Sequence, residues 1–355
     1  VIHLGRRSVE KKSRALLYTL LGIVLVGVLG ATVIALNIDS IKDRFSAYTA
    51  VDFEGPGYGE VIVRIDEGDD GLVIAQKLYD AGVVSQAEGL YRLMLQTSPT
   101  FYPGSFVLKM QMSYEAALNI IKDPSNVKSY KIVIPEGYRA IQIFNRIAEV
   151  TGYSMDEIQR EAADLEGLGI PSQAPTIEGY LFPATYTFYL EDSPADILRA
   201  MVERMKEELV GYGVPESDWH RVLTLASITQ REVNIPEDYY KVTRVLYNRI
   251  VVEMPFQTDT TVVYNFDGIE LSQAQQEANP FNTFKFVGLP PGPISSPSSI
   301  AIDATLNPAA GDWLYFVTID LRSGETIFTR TYAEHLQYVK LLRQWEKDNP
   351  DWYDN

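Results

Sequence analysis

No cysteine occurs in the 355 residues, so disulfides, a thiol nucleophile and thiolate metal sites are all excluded. Histidine is nearly absent. His3, His220 and His335 are scattered along the chain, which leaves no zinc cluster of ordinary spacing and leads us to expect no metal and no cofactor. A Gly-x-Ser-x-Gly elbow is missing too, which argues against a serine hydrolase. There is no internal repeat and no low-complexity tract. Positive charge is scarce: 31 basic against 47 acidic residues give a net −16. Phosphates would be repelled, so no nucleic-acid partner is expected.

What positive charge there is gathers at the start. Arg6, Arg7, Lys11, Lys12 and Arg14 stand against Glu10 alone, a +4 tail that leaves −20 for the remainder. Ala15 to Leu36 then carries no charge over 22 residues. As a helix that run is about 33 Å long, enough for a bilayer core of about 30 Å. It is too long for a signal-peptide core and has no clear cleavage site after it. The expectation is a single retained span, with the N-terminus cytoplasmic and everything after Asn37 outside. The chain opens on Val1, and its natural start is expected to lie upstream.

The rest reads as an α+β protein in two parts. We expect a basic tail at 1–14, a transmembrane helix at 15–37, a turn-rich stalk at 38–58, a small α+β module at 59–124 and a larger, mainly helical α+β domain at 125–350. In the module, a strand at 60–65 precedes helices near 70–81 and 85–97, the second opened by a Ser85-x-x-Glu88 capping box. A strand at 105–109 and a helix capped by Ser113 complete it. In the larger domain a strand at 131–134 leads into helices at 140–150 and from Ser154. Ser193-Pro194-x-Asp196 opens a long helix with Ile197, Leu198, Met201, Val202, Met205 and Leu209 on one face. Another helix begins at Pro236. Strands at 313–318 and 326–329 and a helix at 333–347 follow.

Glu232 draws attention by its position. Leu225, Ile228 and Glu232 fall at i, i+3 and i+7 of one helical run and share a face. The run ends before Pro236, so the carboxyl sits near the negative end of the helix. Desolvation and that end would both raise its pKa, as a general acid needs. Periodicity equally admits a glutamate that turns out to solvent.

Four stretches mix aromatic and polar side chains: Ile177-Glu178-Gly179-Tyr180-Leu181-Phe182-Pro183, Phe256-Gln257-Thr258-Asp259, Asn279-Pro280-Phe281-Asn282-Thr283-Phe284 and Gly288-Leu289-Pro290-Pro291-Gly292-Pro293-Ile294. Such mixtures suit a sugar site, where rings cover pyranose faces and polar groups meet hydroxyls and amides. Each could equally be a stiffened loop over a core.

Those stretches, taken in order with Leu225-Ala226-Ser227-Ile228 and Glu232, closely resemble the YceG-like family of endolytic murein transglycosylases, known as MltG. The resemblance extends from about residue 15 to 347, and its small module is similar to the family's LysM-like subdomain. It implies that Glu232 is the catalytic glutamate, the second acid of a Glu-x-Glu pattern whose first position is Gln230 here. Thr260 stands where the family often has proline, and Ala184 where aspartate often precedes Thr-Tyr.

The resemblance further implies cleavage of nascent peptidoglycan glycan strands at the bond between N-acetylmuramic acid and N-acetylglucosamine. Products would end in 1,6-anhydro-N-acetylmuramic acid, and the setting would be the outer face of a bacterial plasma membrane, beside wall-synthesis enzymes such as penicillin-binding proteins. Gln257, Thr258, Asp259, Asn282 and Thr283 are expected to contact substrate, with Tyr264 packed beside them. Glu178 would either join them or tie its own turn to the domain. Two alternatives remain open: a two-carboxylate hydrolase using Glu232 and Asp259, and a non-catalytic wall-binding scaffold.

Overall fold

The structure, a computed structural model, describes residues 52–233, 235–264 and 270–354. The expected basic tail, membrane span and most of the stalk lie outside the described residues. No helix among those described is long and apolar enough to cross a membrane. The fold is mixed α+β and divides into two compact units that part after Lys128.

The first unit runs β1 (Pro56–Ile65), α1 (Gly71–Asp80), α2 (Ala87–Thr97), β2 (Gly104–Met112), α3 (Tyr114–Ile121) and β3 (Val127–Lys128). Its three strands form one antiparallel sheet in the order β1-β2-β3. Val63, Ile65, Phe106 and Leu108 from the strands pack with Ile74, Leu78, Leu90 and Ile121 from the helices into a core of their own. Asp70 caps α1 by accepting from the N–H groups of Leu72 and Val73, and Ser113 caps α3 as its sequence indicates.

Three features depart from the sequence reading. β1 begins at Pro56, within the stretch read as stalk, and Pro56 already pairs with Met112. Gly57 there has φ +75°, and a Cβ at that position would strike the Met110 carbonyl. The Ser85–Glu88 box does not form. The helix starts at Ala87 without a side-chain cap, and the Ser85 hydroxyl instead bonds the Tyr114 hydroxyl at 2.7 Å. Finally, residues 127–128 belong to the first sheet, because Val127 and Lys128 pair with Phe106 and Ser105.

The second unit continues with β4 (Tyr130–Val133), α4 (Ala140–Thr151), α5 (Met155–Ala162), β5 (Thr185–Phe188), α6 (Pro194–Gly211), α7 (Glu216–Glu232) and α8 (Pro236–Val251). Three short helices follow, α9 (Asp259–Val263), α10 (Leu271–Ala274) and α11 (Ser299–Leu306). The hairpin β6 (Tyr315–Asp320) with β7 (Glu325–Thr329) and the helix α12 (Tyr332–Asp348) come next, before a final 3-10 turn at Pro350–Asp354. β4 and β5 form a second two-stranded ladder. Neither β5 nor the helices α9, α10 and α11 is apparent from the sequence.

The long helices form where local signals agree. α5, α6 and α12 each open on a complete capping box, Ser154–Glu157, Ser193–Asp196 and Thr331–Glu334. The six apolar residues named above on α6 are all buried. α7 is the central helix: Val222, Leu223, Leu225, Ala226 and Ile228 lie within the core. α11, α8 and α9 pack directly against it.

Candidate active site

Glu232 is the final residue of α7, and the backbone turns extended at Val233. Leu225 and Ile228, on the same face, are buried, so the helix delivers the carboxyl to the edge of the core. There it borders a groove of about 310 Å³ that is also lined by Arg249, Phe256, Gln257 and Asp259. Phe284, Tyr315, Phe316, Tyr332 and His335 complete the lining. The pKa of Glu232 is raised, first by burial and then by the neighbouring Asp259 charge. Hydrogen bonds from Thr260 and the charge of Arg231 oppose that shift. The Thr260 hydroxyl donates to Glu232 Oε1 at 2.5 Å.

Of the residues singled out in the sequence, the structure brings Glu232, Phe256, Gln257, Asp259 and Phe284 into this one groove. Gln257 adopts φ +51°, an unfavourable conformation for a side-chain-bearing residue. It is held there by its N–H donating to the Thr283 carbonyl at 3.0 Å. Asp259 is exposed, and its Oδ1 accepts from Gln275 Nε2 at 2.9 Å.

Thr258 and Thr283 do not face the groove. With Thr261 they form a buried knot of hydroxyls, 2.8 to 3.2 Å apart, behind α9. Asn282 is wholly buried. Its amide donates to the carbonyls of Gln275 at 3.0 Å and Glu277 at 2.7 Å, and its Oδ1 accepts from the Phe284 N–H. These bonds leave Asn282 shaping the loop that carries Phe284.

Glu178 and Tyr264 form a pair of their own. Glu178 is buried and accepts from the Ala140 N–H at 2.9 Å and from the Tyr264 hydroxyl at 3.2 Å. It thereby ties its own turn to the start of α4. Burial pushes its carboxyl up to about 7, against the pull of those donors and of Arg139. The Tyr264 ring packs on Phe281 and lies under the Arg139 guanidinium.

The other two aromatic stretches also serve the scaffold. Tyr180, Leu181 and Phe182 are buried in the core. Gly179 has φ +81°, and a Cβ there would overlap Pro293, which is how the 177–183 and 288–294 segments close on one another. The second segment is fastened to α7 by Ile294 N–H donating to Ser227 Oγ at 3.0 Å and by His220 Nε2 donating to the Pro291 carbonyl at 2.8 Å. Gln230 points away from the groove. Its Oε1 accepts from the Ser298 N–H and hydroxyl, and its Nε2 donates to the Tyr239 hydroxyl.

Sequence reasoning missed the groove residues Arg249, Tyr315, Phe316, Tyr332 and His335. Arg249 is buried and donates from Nε to the Leu314 carbonyl at 2.7 Å and from a terminal nitrogen to the Phe256 carbonyl, so it fastens the hairpin to α8. The His335 ring stacks on Tyr315 with centroids 5.4 Å apart. Burial, and then the Arg249 charge, push its pKa below the ordinary value. Tyr332 and His335 at i and i+3 on a capped helix were the one available signal. Among the described residues no group of three or more His, Asp or Glu side chains is placed to hold a metal ion.

The second unit is thus a mainly helical α+β body in which the desolvated Glu232 carboxyl borders an aromatic groove. The YceG-like family model matches residues 63–341, and the chain belongs to that family. It is 29% identical over 300 residues to an endolytic murein transglycosylase of Bacillus subtilis, covering 78% of this chain and 82% of the relative. A protein of the same name from Streptococcus pneumoniae is 28% identical over 316 residues, and there the match spans 57% of the relative. Among solved structures, a putative yceG-like protein of Listeria monocytogenes matches with a TM-score of 0.52 at 27% identity, over 78% of this chain and 98% of that one.

Proposed function

We propose that this protein is a lytic transglycosylase that cuts peptidoglycan glycan strands with Glu232 as its only acid–base group. The observation that carries the reading is the raised pKa of Glu232 within an aromatic groove. Family membership and the names of the relatives agree with it.

In this reading protonated Glu232 gives its proton to the oxygen joining C1 of N-acetylmuramic acid to O4 of N-acetylglucosamine. The C1–O4 bond breaks and the leaving sugar departs with a hydroxyl. The C6 hydroxyl of the muramic residue then attacks C1, and its proton returns to the Glu232 carboxylate. A 1,6-anhydro ring closes, no water is consumed and the acid is regenerated. The attacking group is part of the substrate, so it has the proximity advantage of an intramolecular nucleophile. Phe284, Tyr315 and Tyr332 would cover sugar faces, and Gln257 and Asp259 would meet polar substituents.

The finer setting is also ours. The uncharged run at 15–36 would anchor the chain in the plasma membrane, the LysM-like first unit would hold glycan, and cutting would end nascent strands beside penicillin-binding proteins. Protease added to spheroplasts should then digest the chain after Asn37, and full protection would refute the topology.

Asp259 in the same groove favours one rival, a two-carboxylate hydrolase. Mass spectrometry of products from defined strands in ¹⁸O-labelled water decides between them. Anhydro ends without label support the lytic reaction, and labelled reducing ends support hydrolysis. Binding without any cleavage would leave only a scaffold.

A further inference from the structure

A general acid that becomes its own base must be held so that one oxygen carries the proton and the transient anion has donors at hand. Thr260 meets both demands. Its hydroxyl donates to Glu232 Oε1 at 2.5 Å, and its backbone N–H also reaches the carboxyl. An oxygen that accepts such a bond is the carbonyl-like one, so the transferable proton belongs on Oε2.

Thr260 can do this because α9 is fixed from behind. Thr261, the next residue, donates to the Thr258 carbonyl at 2.8 Å and shares the hydroxyl knot with Thr283. Tyr264, one turn on, is bonded to the buried Glu178. The segment is thus pinned on both sides of Thr260. Precision of this kind is what a reacting group requires.

The charged groups around Glu232 do not substitute for it. Asp259 raises the carboxyl's pKa. Arg231 acts only through its charge, and its guanidinium bonds the Gly137 carbonyl. Arg249 is committed to backbone carbonyls, and Tyr315 and His335 stack on each other.

We propose that Thr260 is a positioning residue for the acid: its hydroxyl fixes Oε1 as the acceptor, presents Oε2 to the glycosidic oxygen and steadies the carboxylate formed when the proton leaves. This rests on the transglycosylase reading above. The hydroxyl acts after substrate is bound, so its loss should appear in kcat and leave KM in place.

The experiment compares wild type, Thr260→Val and Thr260→Ser on defined glycan strands, recording kcat, KM, the pH profile and the product ends. A bond to a charged group supports roughly a tenfold change in rate. Thr260→Val should therefore lower kcat roughly tenfold with KM little changed. It should also move the alkaline limb upward, because the carboxylate has lost a donor. Thr260→Ser keeps the hydroxyl and should restore most of kcat and the wild-type limb. Unchanged kcat and profile in Thr260→Val, or equal impairment in Thr260→Ser, would overturn the proposal. Should Thr260→Val fail to fold, Thr260→Ala carries the same expectation. Failure of the enzymatic reading is distinguishable: wild type itself would then release no anhydro ends.

Discussion

Thr260 and Tyr264 stand one turn apart on the same side of α9, and each gives its hydroxyl to a different desolvated carboxyl, Glu232 in one case and Glu178 in the other. Five residues of helix thus bridge two acids whose pKa values are both raised by burial. The two acids differ in use. Glu232 opens to the groove, whereas Glu178 is spent on capping α4.

The Glu178 carboxyl gives the fold a pH dependence. Its folded value of about 7 lies above the ordinary 4.5, so the folded state binds the extra proton between those values. The stability it contributes is complete below about pH 4.5 and is lost as pH rises through 7, by at most about 3 kcal/mol. Glu178→Gln preserves both acceptor and shape. It should lessen the fall in stability between pH 5 and 8 measured by urea unfolding, and an unaltered fall would show that the group titrates normally.

Glu232→Gln should separate activity from stability. Cleavage should drop by roughly 10² to 10⁴-fold or more, since one group supplies both proton transfers, while glycan is still bound. The raised pKa of Glu232 is likewise a stability that is present at low pH and lost as the group ionises. The variant should therefore resist urea better than wild type at pH 8 and equally at pH 4. Lower stability at pH 8 would contradict the desolvation described above.

Gln230 offers a test of scaffold against chemistry. Its acceptor oxygen serves Ser298, the cap of α11, and its amide serves Tyr239. Gln230→Glu should be tolerated, because the Tyr239 hydroxyl can turn from acceptor to donor. Gln230→Ala leaves these groups unpaired and should cost about 1–3 kcal/mol. Thermal melts and strand cleavage assayed together would check both, and a stable but inactive Gln230→Glu would point to a direct role in catalysis.

Asn282→Ala should act through the loop it organises. Losing its bonds to the 275, 277 and 284 backbone should destabilise the protein by about 1–3 kcal/mol. KM should rise as Phe284 loses its seat, with no change in product type. By comparison, Tyr315→Ala should raise KM with little loss of stability, because its ring lines the groove. Isothermal titration with an uncleaved strand on a Glu232→Gln background would separate the two.

The sequence was most readable where a helix is long and its caps are local. The Ser193 box and the apolar face of α6 needed nothing from elsewhere in the chain. α9 was unreadable for the opposite reason. Asp259-Thr-Thr-Val-Val263 is rich in β-branched residues that favour strands, and it is helical because distant hydroxyls and Glu178 hold it. β5 is four residues long, defined only by its partner β4. Within the site, helical period put Glu232 on the face of Leu225 and Ile228 but left open whether it turned to solvent, whereas Tyr315, Phe316 and Tyr332 come from a hairpin and a helix whose approach no local pattern encodes. Asn282 and Thr283 look like binding residues in isolation, and burial assigns them to the loop's interior.

Glu232 and its partners are separated in time as well as along the chain. Tyr315, Phe316, Tyr332 and His335 all follow the acid in the order of synthesis, and a domain generally folds as a unit once its parts are present. A nascent chain that has just released α7 holds a carboxyl but no groove. Arg249 must wait for Leu314 before it can draw the hairpin against α8. The groove around Glu232 is consequently complete only once α12 has been made, and a chain that stopped before Tyr315 would lack its hairpin wall.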